Sequence, residues 1–339
     1  NGMNIETAVI VINYNGKKHL QECFSSLIKQ SYAPLRLYLL DNASTDGSVE
    51  FVKEHFPSVI ILAMDKGYGF AGGYNRAVAK AQERYLGMIS NDTRVDVNWV
   101  KYMRIAMDAD PRIAIAGSKI MLYDQPDCIN SAGQRITPVG IGYEVGLGEP
   151  DGPDFNHQQD FAAVCGAGIM VRKNLFEKLG GFDESYFLLC EDTDLCWRAW
   201  MSGYRVVYQP QAFLFHKFGA TIGRRETPLR VMLIQRNSIA SVIKNRQAAY
   251  IGYALCGCLA YACARLIFFL LKGESRLLKA QLTGLAALFP LLPELKTKRG
   301  QLQAARAVSD AELLHKGILS SWRETIKEYF RIQRIGLTG

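Results

Sequence analysis

Ser90-Asn91-Asp92-Thr93 follows the apolar run Tyr85-Leu86-Gly87-Met88-Ile89. Such a run reads as a buried parallel strand, and open α/β sheets bind ligands just past the carboxyl ends of their strands. A carboxylate there suits a hard divalent cation, which takes oxygen ligands and keeps phosphate oxygens in its shell. The same four residue types also cap helices, and residues 95–106 have helical periodicity, so this stretch alone reads either way. Asp41 closes a second strand-like run and can accept hydrogen bonds from a nucleoside; residues 41–47 are equally turn chemistry. The glycine-rich stretch 67–75 gives the backbone freedom to approach a ligand. Glu191-Asp192-Thr193-Asp194 opens a helix behind Tyr186-Phe187-Leu188-Leu189. One of these acids, set beside apolar surface, can serve as a general base while the others cap the helix. His216, one of five histidines, ends an apolar run, and its imidazole can complete a metal site with Asp92.

A competing pattern overlaps these. Gly67-Tyr68-Gly69-Phe70-Ala71-Gly72 matches G-x-G-x-x-G, with Asp92 20 residues further on, as in dinucleotide-binding folds. That fingerprint belongs to the first βα turn. Here it follows the third strand-like run, and the first turn, Asn13-Tyr14-Asn15-Gly16, lacks the glycines. A nicotinamide-dependent oxidoreductase using Gly67 to Gly72 is therefore the second reading. A non-catalytic membrane scaffold is the third, favoured only by Ser90.

The elements that must position these residues alternate. Strand-like runs at 7–12, 35–40, 59–62 and 85–89 are separated by helical patterns at 17–30, 49–55 and 70–83. This alternation predicts a mostly parallel sheet covered on both faces. Further strands are expected at 113–122, 161–171, 204–208 and 212–216, and helices at 174–179 and 191–201. Residues 124–160, rich in Gly, Pro, Asp and Asn, read as an irregular insertion.

After His216 the character changes. Residues 1–225 carry 23 Lys+Arg against 25 Asp+Glu; residues 226–339 carry 17 against 7, so the net +8 lies wholly in the last third. A basic region of this kind is attracted to nucleic acid or to an anionic membrane surface, and its apolar runs favour the membrane over nucleic acid. Residues 228–246 read as a helix. Residues 248–271 hold one charge, Arg265, and are long enough to span a bilayer. Basic residues flank this run on both sides, which fits a hairpin or interfacial helices, with 282–292 as the second apolar piece, better than a single pass. Residues 301–334 read as a charged amphipathic helix broken near Gly317. The expected division is 1–225 and 226–339. Eight cysteines without a CxxC suggest a reducing compartment, and the first apolar run is too short for a signal peptide.

In this order and spacing, Asn13-Tyr14-Asn15-Gly16, Leu40 through Ser48, Gly69-Phe70-Ala71-Gly72-Gly73-Tyr74-Asn75, Ser90-Asn91-Asp92, Gly180-Gly181-Phe182-Asp183-Glu184, Glu191 through Arg198 and His216 resemble family 2 glycosyltransferases of the GT-A fold, especially the bacterial rhamnosyltransferase-like branch. The resemblance covers about residues 7–225. It implies a GT-A-like α/β domain followed by a helical, membrane-associating region. It also implies inverting transfer of a sugar, first rhamnose, from a dTDP- or UDP-linked donor to a lipid-linked saccharide, at the cytoplasmic face of the bacterial inner membrane. Asp192 would be the base, with Glu191 beside it. Asn13, Asn15, Asp41, Asn42, Gly69, Phe70, Gly72, Gly73, Asn75, Asn91 and Arg198 would form the donor pocket. Asp92, the last acid of the family's DxD, and His216 would hold Mg²⁺ or Mn²⁺. Ser90 at the first DxD position departs from the pattern.

Overall fold

The computed structural model describes residues 5–217, 219 and 226–327. β1 (Thr7–Asn13), β2 (Arg36–Asp41), β3 (Ile60–Ala63) and β4 (Tyr85–Ser90) alternate with α1 (Lys17–Ile28), α2 (Ser48–His55) and α3 (Gly69–Lys80). The four strands are parallel, in the order β3-β2-β1-β4. Successive side chains of β1 point to opposite faces, and both faces are buried. Val9 and Val11 pack with Leu20, Phe24 and Leu27 of α1, whereas Ala8 and Ile10 pack with Tyr74 and Ala77 of α3. The register pairs Asn13 with Asp41 and Ile12 with Ser90, so three strand ends meet at one edge.

Next come β5 (Thr93–Val95), α4 (Trp99–Ala109) and β6 (Ile113–Leu122). The helix expected over 95–106 starts only at Trp99, because residues 93–95 pair with a later strand. Ser90 to Thr93 is therefore no helix cap; Asn98 holds the cap position. The insertion is more ordered than expected, with β7 (Ile129–Ser131), β8 (Gln134–Ile136), β9 (Gly142–Glu144) and β10 (Gln159–Asp160). β11 (Gly168–Arg172) runs antiparallel between β4 and β6. Only this end of the expected 161–171 strand is extended in the sheet; the Gly166 N–H turns instead to the Asp192 carboxylate. α5 (Lys173–Lys178) and α6 (Glu191–Met201) follow. β12 (Arg205–His216) lies parallel to β6 and unites the two runs expected at 204–208 and 212–216. A register shift between Gln209 and Phe213 accommodates Pro210, which lacks an N–H for the ladder. β12 also pairs with β5, setting His216 opposite Thr93.

The C-terminal part is helical: α7 (Pro228–Asn245), α8 (Ala248–Leu271), α9 (Ser275–Ala286), α10 (Leu292–Ala304) and α11 (Asp310–His315). The helix expected over 301–334, with a break near Gly317, is broken there and also after Ala304. α10 ends at Ala304, α11 stops before Gly317 (φ +67°), and residues 328–334 lie outside the described residues. α8 turns Ala254, Cys258, Ala262 and Phe269 inward and lays Gly257 against the Trp322 ring. Tyr253, Leu259, Ile267, Phe268, Leu270 and Leu271 remain exposed, Leu271 at 82%.

Candidate active site

The strand ends carry a continuous hydrogen-bonded cradle. Asn91 Nδ2 donates to Asn13 Oδ1 at 2.5 Å. Asn13 Nδ2 donates to Asp41 Oδ1 at 2.9 Å and to Ser44 Oγ at 3.1 Å. The Ser44 N–H donates to Asp41 Oδ2 at 2.9 Å. All three of Asn13, Asp41 and Asn91 are buried, and each Asp41 oxygen keeps a lone pair beyond these bonds. A Cβ on Gly16 would run into the Asn91 and Asn13 side chains, so only glycine fits beside the cradle. Asn15, exposed at φ +48°, accepts the Thr45 N–H at 2.8 Å and closes the rim. Asn42 accepts the Tyr68 N–H and donates to Gly69 O, both at 2.8 Å, and so fixes the glycine turn against β2.

Asp92 and His216 converge. Pairing of β5 with β12 brings His216 Nε2 to 3.4 Å from Asp92 Oδ1. His216 Nδ1 is 2.9 Å from Asn130 Oδ1, which can only accept, so Nδ1 carries the proton there. In the neutral ring Nε2 then presents a lone pair to a carboxylate. Asp92 Oδ1 is buried and receives no hydrogen bond. The Asp92 carboxylate and His216 Nε2 thus face each other over 3.4 Å, and a cation or a proton fits between them. This donor pair, one hard oxygen and one imidazole nitrogen, fits Mg²⁺ or Mn²⁺. Among the described residues no group of three His, Cys, Asp or Glu side chains could hold a metal, so oxygens from water or substrate would complete any coordination shell.

Asp192 sits on the first turn of α6. Gly166 N donates to its Oδ2 at 2.9 Å and Thr193 N to its Oδ1 at 2.7 Å. Burial raises its pKa, and these N–H contacts offset only part of that. The segment 166–167 links it to the strand ends, because Ser90 N donates to Ala167 O at 3.2 Å. Phe70 also lies against Gly166. Glu191 is buried, with burial and then Asp192 pushing its pKa well up.

Other expected donor-pocket residues are occupied elsewhere. Arg198 donates to Asp194 Oδ2 (2.8 Å), Leu179 O (2.5 Å) and Gly181 O (2.8 Å), so it supports the helix behind the acids. Asn75 is pinned to Phe182 N and O at 2.9 and 2.8 Å. Gly72 packs against Tyr68, Arg76 and Glu184, and Gly73 against Leu40, Asn42 and Ile12. Gly69 takes φ +69°, and the Phe187 carbonyl caps α3 by accepting from Phe70 N at 2.8 Å. That removes the oxidoreductase reading, which requires an open helix N-terminus for the pyrophosphate.

Glu144 had drawn no attention in the sequence. Its Oε1 accepts from Gln134 Nε2 at 2.8 Å, and Gln134 Oε1 accepts from Thr193 Oγ1 at 3.2 Å, so the chain ends at the residue beside Asp192. Burial pushes its carboxyl up to about 7, with Asp192 adding to the rise and His216 opposing it. The only signal was a carboxylate in Gly142-Tyr143-Glu144-Val145, within an otherwise aperiodic stretch.

A parallel-sheet edge with a polar cradle, a carboxylate–imidazole pair and a separate raised carboxylate fits a GT-A-type transferase. The chain belongs to glycosyltransferase family 2: the profile described as "Glycosyl transferase family 2" matches residues 8–180. It is 28% identical over 242 residues to the N-acetylglucosaminyl-diphospho-decaprenol L-rhamnosyltransferase of Mycobacterium tuberculosis, covering 64% of this chain and 77% of that one. Its fold is similar to that of S. aureus TarS 1-349 in complex with UDP (TM-score 0.57, 16% identity, 89% of this chain and 87% of that one). It is also similar to the mannosyltransferase PcManGT of Pyrobaculum calidifontis in complex with GDP-Man and Mn²⁺ (TM-score 0.52, 16% identity, 86% and 88%).

Proposed function

We propose that this chain is an inverting glycosyltransferase. It moves a sugar, rhamnose first, from a dTDP- or UDP-linked donor to a saccharide carried on a lipid diphosphate. It works at the cytoplasmic face of the bacterial inner membrane, in cell-surface polysaccharide biosynthesis. The observation that carries the reading is the Asp92–His216 pair facing across 3.4 Å at the end of β4. The rhamnosyltransferase relative, named for an N-acetylglucosaminyl-diphospho-decaprenol acceptor, supports the choice of sugar and acceptor.

The cradle of Asn13, Asp41 and Asn91, with Asn15 and Asn42 around it, receives the nucleoside. Asp92 and His216 would hold the cation, which when bound supplies Lewis-acid neutralisation of the departing diphosphate. Asp192 takes the proton of the acceptor hydroxyl as its oxygen attacks the anomeric carbon. Attack opposite the leaving diphosphate inverts that carbon, and no covalent enzyme intermediate forms. A single carboxylate at the DxD, with Ser90 as its partner, makes cation binding depend on the donor's phosphates. The catalytic part is assigned to residues 1–225 and the membrane-facing part to 226–339.

Calorimetric titration of dTDP-rhamnose and UDP-sugars, with and without Mn²⁺, tests this. One donor should bind in a Mn²⁺-dependent way, and Asp92→Asn should weaken it at least about tenfold, the loss of a charged ligand. Asp192→Asn should bind donor normally and turn over at least about 100-fold more slowly, the usual worth of a general base. If no sugar nucleotide binds under any condition, the proposal fails.

A further inference from the structure

The backbone that delivers Asp192 is strained. Phe187, Leu189 and Cys190 take φ of 63°, 70° and 67°, a region that non-glycine residues avoid. Such a conformation persists only when its surroundings over-determine it. What surrounds this loop comes largely from α7. Asn237, fully buried, aims its Nδ2 at three loop carbonyls: Tyr186 O (3.2 Å), Leu188 O (3.0 Å) and Leu189 O (2.8 Å). Its Oδ1 accepts from Arg236 Nε at 2.9 Å, which fixes the amide orientation. Arg236 Nη2 in turn donates to Ser185 O (2.9 Å) and Tyr186 O (3.1 Å). One and two turns further along α7, Ser241 meets the Tyr186 hydroxyl at 2.9 Å and Asn245 Nδ2 donates to Asp194 Oδ1 at 2.9 Å. One face of α7 thus holds the loop and the first turn of α6 together. A further contact of the loop, Phe187 O on the start of α3, ties the same backbone to the glycine turn beside the cradle.

We propose that Asn237 is a positioning residue for the transfer reaction, and that α7 is a wall of the active site as well as a base for the outer helices. The assignment rests on Asp192 being the base. Asn237 holds the carbonyls of a loop that would otherwise relax to ordinary dihedrals and carry Asp192 away from Gly166. The donor cradle stands on β1, β2 and β4, and among the described residues it has no hydrogen bond to α7. Loss of Asn237 should therefore separate chemistry from donor binding.

The test uses the full chain with Mn²⁺ and dTDP-rhamnose, reading donor Kd by calorimetry and turnover as the dTDP released when rhamnose passes to lipid-linked acceptor or to water. In Asn237→Ala, kcat should fall at least tenfold while donor Kd moves less than threefold. Asn237→Asp, the same shape with acceptors facing three carbonyls, should fall further than the alanine variant. If Asn237→Ala does not fold, Asn237→Ser, which keeps one donor, should show the same split to a smaller degree. A folded variant with unchanged kcat overturns the proposal. So does a parallel loss of kcat, donor affinity and Tm, because that is structural support alone. Wild-type-like turnover in Asp192→Asn would instead remove the base assignment, whatever the Asn237 variants do.

Discussion

Asp192 and Asp194 lie two residues apart and have opposite surroundings. For Asp194, burial alone would raise the pKa, but the charges of Lys244 and Arg198 outweigh it and hold the group ionised. Asp192 has only uncharged partners, the Gly166 and Thr193 N–H groups and the Thr193 hydroxyl, and is raised. An ion-paired carboxylate is a poor proton acceptor, whereas a raised one is matched to the task. The activity of the enzyme should therefore fall, as pH is lowered, through a limb above the ordinary carboxylate range near 4. Glu144, pushed up to about 7, belongs to the same cluster, which also holds Glu191, Cys165 and Cys190, and it carries charge only near and above that pH. Glu144→Gln takes away a group that is still protonated where Asp192 titrates, so the limb should stay where it is and any change in rate should appear only near and above pH 7, where Glu144 ionises. A pH–rate profile of nucleoside diphosphate release measures both; a limb that moved would mean that Glu144 is already charged where Asp192 titrates. Motif order picked out Asp92, His216 and Asp192 because each follows an apolar run. Residue types alone could not separate the three acids at 191–194, because the deciding cation, Lys244, lies 50 residues on from Asp194; the family resemblance is what singled out Asp192. Arg198 and Asn75 had suitable chemistry at suitable spacing, and only the fold shows Asp194 and Phe182 claiming them.

At the scale of elements, the parallel half of the sheet was legible from apolar runs because buried strands with both faces covered leave continuous apolar stretches. α6 and α8 occupy the expected residues, 191–201 and 248–271. Residues 124–160 were not legible, because strands of two or three residues are too short to show a period. Pro210 hid the continuity of β12. The join between α6 and α7 was invisible for another reason: it is made of charges. Lys244, fully buried, lies between Asp183 and Asp194, and Lys298 reaches Asp183 Oδ1 at 2.6 Å. Burial would raise Asp183, but Lys244 and then Lys298 depress it well below the usual carboxylate range. A depressed folded-state pKa contributes stability above the unfolded value and loses it as pH falls toward the folded one. Lys244→Ala leaves two buried carboxylates without their shared cation and should destabilise by about 3–5 kcal/mol at pH 7. The gap between variant and wild type should narrow as pH drops below about 4, where the unfolded carboxylates protonate. Urea unfolding at pH 7 and pH 3 reads the difference; an equal gap at both would mean that the network adds no acid sensitivity.

Over the whole molecule, charge and apolar exposure fall together. The +10 balance of residues 226–339 accompanies the uncovered side of α8. Length and composition allowed a span. The structure turns one stripe of α8 onto the protein and pairs Arg265, in mid-helix, with Glu226 at 2.7 Å. A helix packed along one side, with apolar residues on the other and exposed Lys272, Arg276 and Lys279 at its end, suits the membrane interface better than its core. Such a surface would bring an active site walled by α7 to acceptors held in the bilayer. Binding should then need both parts of the surface. Vesicles containing anionic phospholipid should bind the protein more tightly than neutral ones, and added salt should narrow the difference. Replacing Leu259 and Leu270, both about two-thirds exposed, with Glu should leave Tm unchanged, since neither supports the fold. The pair should weaken vesicle binding at least about tenfold, given roughly 1 kcal/mol for each leucine partly buried in the interface. Turnover of a lipid-linked acceptor in vesicles should fall with binding, while release of nucleoside diphosphate to water should not. If the double variant binds vesicles as the wild type does, α8 faces something other than lipid, and the basic residues act without it.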